Sequence, residues 1–135
     1  MRTVIRAAIV ADATLQGLGV AVDGSNVLAG DIDTPTARPF LQLRWGEGMP
    51  GVGEGARRHD KRSLTIWTHD TPGDYGRIDS IIARLKVVLY GIAAVTYAGG
   101  SISTIEWISD SDDLSDDGHE TICRNTTWFI AASGM

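Results

Sequence analysis

The sequence holds a single cysteine, Cys123, which leaves no partner for an internal disulfide and no cysteine cluster for zinc. Long apolar runs are missing too. The most apolar stretch, residues 87–98, is too short to cross a bilayer and is interrupted by Gly91 and Thr96. No charged segment followed by an apolar one opens the chain, so the expectation is a soluble, intracellularly made protein without a secretory signal. Phosphate-loop spacing, G-x-x-x-x-G-K-[ST], does not occur. Lysine and arginine are absent from residues 110–120, where Asp110, Asp112, Asp113, Asp116, Asp117 and Glu120 collect. The net charge is −5, yet outside this stretch eleven acids face twelve bases, so the acidity is local. An acidic whole argues against wrapping nucleic acid through its phosphates.

What is present is the composition of one globular domain spanning residues 1–135, 43% hydrophobic and 21% charged. The organising stretch is residues 62–91. Leu64, Ile66 and Thr68 alternate with Ser63, Thr65 and Trp67, the period of a half-buried strand. Thr71 and Asp74 have capping-box spacing, with Pro72 placed for the first helical position. Ile78, Ile81, Ile82, Leu85, Val88 and Leu89 then form one helix face, and Gly91 can end it. Burying six such side chains contributes at most about 9–18 kcal/mol. Ordering the backbone of the segment costs about 1–2 kcal/mol per residue. The helix therefore needs a sheet to lie on.

Other segments supply one. Residues 1–15 read as a first amphipathic helix carrying Val4, Ile5, Ala8 and Ile9. Val20-Ala21-Val22 and Val27-Leu28 are short strand candidates around the turn Asp23-Gly24-Ser25-Asn26. Residues 40–45 read as a strand with Leu41, Leu43 and Trp45 on one face. The glycine-rich residues 46–59 read as a long hairpin loop, with a composition that favours order only on binding a neighbour. Strands over 101–109 and 121–132 bracket the acidic loop. The expected class is α+β, an antiparallel or mixed sheet flanked by two helices.

Candidate chemistry is thin. Gly46-Glu47-Gly48-Met49-Pro50-Gly51 has dinucleotide-loop spacing, but Val52-Gly53-Glu54-Gly55 rather than a helix pattern follows, and Glu47 and Glu54 would repel phosphate. A small nucleotide-binding module using Gly46 to Gly55 is thus the weaker alternative. His59, His69 and His119 each precede an acid, but neighbours on a strand point to opposite faces, and no nucleophile is marked. Residues 110–118 resemble a calcium loop only loosely, because Leu114 falls where a ligand is needed and Gly118 comes too late. Asn125-Thr126-Thr127 matches a glycosylation sequon by letter alone. Trp45, Trp67, Trp107 and Trp128 each fall in a strand and read as core or interface residues. No catalytic residue, cofactor or metal is expected.

The arrangement resembles the tail terminator (tail completion) proteins of long non-contractile-tailed bacteriophages, particularly those of actinobacterial hosts. The likeness is carried by Ile5-Arg6-Ala7-Ala8-Ile9, by the segment from Pro39 through Trp45 to Gly46 with its glycine-rich loop, by Leu64 through Thr68-His69-Asp70-Thr71-Pro72-Gly73-Asp74-Tyr75, and by the acidic run before Thr121-Ile122-Cys123-Arg124. The resemblance implies a non-enzymatic virion subunit, made in the host cytoplasm and located at the head-proximal end of the tail. It would form a homohexameric ring that caps the major tail tube protein and meets the head–tail connector or stopper. DNA would pass through its lumen without being gripped. Another head–tail joining, neck or minor tail protein is the alternative. A ring needs two different patches that meet across copies. The sequence offers a basic one, Arg57, Arg58, Lys61 and Arg62, and an acidic one, Asp112, Asp113, Asp116 and Asp117.

Overall fold

The computed structural model describes residues 2–29, 38–50, 59–92, 96–97 and 100–133. Among the described residues, three helices, α1 (Arg2–Ala11), α2 (Ala13–Gly17) and α3 (Gly76–Gly91), lie on one face of a seven-stranded sheet. The strands are β1 (Val27–Ala29), β2 (Phe40–Pro50), β3 (His59–Asp70), β4 (Thr96–Tyr97), β5 (Gly100–Asp110), β6 (Leu114–Asp116) and β7 (Thr121–Ser133). Their order is β1-β2-β3-β7-β5-β4, with β6 also paired to β7. All pairings are antiparallel except β1–β2, so the expected α+β mixed sheet is present, with its helices segregated to one side.

Alternation explains which face is which. Leu41, Leu43, Leu64, Ile66, Trp128, Ile130 and Ala132 meet Ile5, Ile9, Leu15, Ile81, Leu85 and Leu89 in one core. The α3 stripe is as the spacing predicts, with Ile78 and Ile82 packing separately against Ile122. Of the tryptophans, Trp128 is central core, Trp45 packs against its margin, Trp67 is half-buried on the opposite face and Trp107 is exposed.

Several local expectations are corrected. The first helical stretch is two helices, because the Asp12 carboxylate accepts from the Leu15 N–H and caps a new helix there. The same carboxylate holds Arg84 of α3 at 2.9 and 3.0 Å, which ties α2 to α3. Thr71 does not cap α3. Gly73 sits at φ +140°, which interrupts the helical path, and the Asp70 carboxylate takes the Thr71 N–H at 2.7 Å. The helix starts at Gly76, whose N–H is bound by Asp74. Residues 20–22 form no strand, and Val27–Ala29 pairs parallel with β2 instead of folding into a hairpin.

Asn26 explains that choice. Its amide donates to the carbonyls of Gly19 and Pro39 at 2.8 and 3.0 Å and accepts from the Ala21 N–H at 2.8 Å. One buried side chain thus fixes the turn before β1 and the entry to β2. Asn26→Ala strands three backbone groups, so we expect a loss of about 2–4 kcal/mol in urea unfolding at pH 7; a loss below about 1 kcal/mol would show the turn held by other means.

The glycine-rich segment is also partly strand. Gly48, Met49 and Pro50 pair with Arg62, Lys61 and Asp60 after a register irregularity at residues 45–48. The loop expected over 46–59 therefore contracts, and residues 51–58 lie outside the described residues. A methyl group at Gly46 would meet the Ser63 hydroxyl, which would have to rotate away. At the other end, β6 inserts a short strand into the acidic loop, pairing Leu114 with Cys123 and Asp116 with Thr121.

Candidate functional site: two charged ends and the open sheet face

The described members of the anticipated interface patches fall at opposite ends of the sheet. Arg57 and Arg58 lie outside the described residues. Lys61 and Arg62 are on β3, and Lys61 Nζ sits 5.9 Å from the centre of the Phe129 ring. Eight residues further along the same strand is His69, beside the acidic loop, a span of about 26 Å at the usual rise per residue. Asp112, Asp113 and Asp117 are exposed there. Asp113 lies 3.7 Å from Arg124, and Arg124 also donates to the Ser111 carbonyl. Asp116 differs from its neighbours. It is half-buried, bonds the N–H groups of Gly118 and His119, and has its pKa lowered first by the His119 hydrogen bond. Asp110 turns away from the loop to Lys86 at 2.7 Å and the Trp107 indole N–H at 3.0 Å. The acids of the calcium-like stretch therefore do not converge.

On the face away from the helices, β2, β3, β6 and β7 build a polar cluster that the sequence reading missed. His69 is buried and stacked on Phe40, ring centres 4.4 Å apart and 8° from parallel. Its Nδ1 lies 2.8 Å from the Thr121 hydroxyl and its Nε2 3.0 Å from Gln42 Oε1. The adjacent Asp70 points the other way, to a bidentate pair with Arg77 on α3, as strand alternation requires. The turn after β6, with Glu120 at φ +54°, returns His119 over the same face. There His119 Nδ1 lies 2.7 Å from Asp116 Oδ2, and Arg38 donates to the His119 carbonyl at 2.8 Å. Burial depresses the His69 pKa to about 4, against an upward pull from Asp116, so the ring is neutral at pH 7. Burial likewise pushes the Cys123 thiol up to about 11; Cys123 is directly opposite His69 in the β3–β7 ladder. The only advance signal was the Asp116-x-x-His119 spacing, because the third member is 50 residues away in the chain.

The dinucleotide-loop spacing gains no support. Its first five residues continue β2, and among the described residues no helix N-terminus follows them. A groove of about 530 Å³ at the base of this segment is lined by Arg2, Arg6, Arg44 and Trp45. Arg6 is committed to the carbonyls of Val27 and Gly24, and Arg2 lies over the Trp45 ring. Val87 and Tyr90 of α3 and Trp107 and Ile108 of β5 are exposed, and the Tyr90 hydroxyl accepts from the Trp107 N–H at 3.4 Å.

No family model matches the sequence, and no curated protein matches it. The fold has a solved counterpart in a chain of a structure described as "Virion of native gene transfer agent (GTA) particle". The alignment covers 96% of this chain and 92% of that one, with a TM-score of 0.69 and 11% sequence identity. At that identity the likeness is one of fold.

Proposed function

We propose that this chain is a structural subunit of a phage-like virion, and specifically a tail terminator. In this reading six copies form a ring on the completed tail tube, stop its growth and present a joint to the head-side connector or stopper. The observation that carries the proposal is the near end-to-end fold match to a chain from a gene transfer agent virion. The residue-level resemblance to tail terminators supplies the finer role.

The positions of the charged residues fit ring closure. Lys61 and Arg62 stand about 23–26 Å along β3 from the acidic loop, so these two cannot meet it within one subunit. They can meet it across copies related by rotation, which is the heterologous geometry a closed ring uses. The net acidity suits a lumen through which DNA slides.

Native mass spectrometry of the purified protein tests this. A six-membered assembly is the expected species, and an exclusively monomeric protein at tens of micromolar would overturn the ring. The double substitution Lys61→Glu with Arg62→Glu should shift assembly towards monomer, by about tenfold in dissociation constant at low salt. The difference should shrink as salt rises, because exposed pairs are screened within about 10 Å at 0.1 M. Assembly indifferent to both substitutions would assign the contact to another surface. Labelling the subunit in intact particles separates a terminator from a neck protein on the head side.

A further inference from the structure

We propose that His69, Asp116 and His119 form a binding site for one divalent transition-metal ion of the zinc, cobalt and nickel class. Each residue offers a ligand atom, and these atoms all lie within 4.8 Å of one another. His119 Nδ1 is 2.7 Å, and His69 Nδ1 4.0 Å, from the same Asp116 oxygen. Ligand atoms around a tetrahedral zinc ion, each about 2.0–2.1 Å from it, stand roughly 3.3 Å apart. The 2.7 Å distance must open and the 4.0 Å distance close by less than about 1 Å, and the two imidazole nitrogens, at most 4.8 Å apart, must approach by up to about 1.5 Å, within the reach of side-chain rotation.

The donor set selects the metal. Two imidazoles and one carboxylate suit borderline ions, whereas calcium and magnesium require oxygen ligands throughout. Orientation is already arranged. With Nε2–H donating to Gln42 Oε1, His69 carries its proton on Nε2 and turns the Nδ1 lone pair towards Asp116 and Thr121. The Thr121 hydroxyl is the group an ion would displace from that lone pair. At His119 the Nδ1 proton moves to Nε2 of the same ring, so binding requires no co-reactant.

A second observation points to the same place. Gln42 is only 4% exposed, and its Nε2 finds no hydrogen-bond partner among the described residues. It lines a cleft of about 280 Å³ together with His69, Asp116, His119, Arg44 and Trp67. Three protein ligands leave a fourth position open to that cleft. The Arg38 guanidinium beside His119 opposes the added charge and limits the affinity.

The site is tested by titrating chelator-treated protein with Zn²⁺ calorimetrically, and with Co²⁺ by visible absorption. One Zn²⁺ per chain is expected, with Co²⁺ giving the intense d–d bands of a four-coordinate centre. His119→Ala, a half-exposed position, should weaken binding at least tenfold with the far-UV circular dichroism unchanged. His59→Ala and Asp117→Asn should leave it as in wild type. Absence of saturable Zn²⁺ binding would overturn the proposal. So would binding that survives His119→Ala, or equal binding of Ca²⁺, which would mark simple attraction to the acidic loop.

Discussion

Trp128→Ala should lower the stability of the isolated subunit by about 3–5 kcal/mol, the range for removing a large aromatic side chain from a closed core. Trp128 has no exposed surface, faces the helices from the central strand β7 and meets Tyr90 edge-on at 5.4 Å. β7 pairs with β3, β5 and β6, so a cavity there undermines three ladders at once. A domain of this size has roughly 5–15 kcal/mol in total, so the variant should melt about 10–20 °C lower. Trp107→Ala, on the exposed partner position across the β5–β7 ladder, should cost no more than about 1 kcal/mol. Equal losses at the two positions would mean that the β7 side chain is not the core's keystone.

Acid should destabilise the protein before its carboxylates titrate, and His69 is the reason. In the folded state its pKa is held at about 4, against 6.5 when free, so between these values the unfolded chain binds a proton the folded chain refuses. Stability therefore rises with pH across this window and falls as the solution is acidified from pH 6.5 towards 4. At about 1.4 kcal/mol per pH unit of the gap, the loss is on the order of 3 kcal/mol. Asp12, Asp70, Asp110 and Asp116 act lower down. Their folded pKa values are depressed below 3.8, so the stability they contribute is lost only as the pH drops through those lower values. Urea unfolding in the presence of a chelator at pH 7, 6, 5 and 4.5 measures this. His69→Gln should flatten the profile above pH 4.5. A profile parallel to wild type would place the acid sensitivity elsewhere.

What could be read in advance depended on the range of the interactions. The β3 alternation at Leu64 and Ile66, the Leu41–Leu43–Trp45 face and the α3 stripe are local periodicities set by which side meets the core, and all appear in the structure. The break at Asp12 and the late start of α3 depend on single side-chain hydrogen bonds and on one glycine's φ, which compete with the same periodicity. The parallel β1–β2 pair has no local signature because its register is fixed by Asn26 reaching the Pro39 carbonyl. The histidine cluster is legible only once β6 and its turn bring His119 over β3, since sequence adjacency misdirected attention to Asp70 and Glu120. The basic and acidic patches were visible as composition. Their opposite placement along β3 was not, because it depends on strand order.

Asn26 has one more consequence. By gripping both banks of residues 30–37, it separates the length of that connection from the alignment of the strands it joins. Doubling the length of a connection between fixed ends adds only about 0.6 kcal/mol of closure entropy. An insertion between Ala29 and Arg38 should therefore leave the β1–β2 register and the core in place.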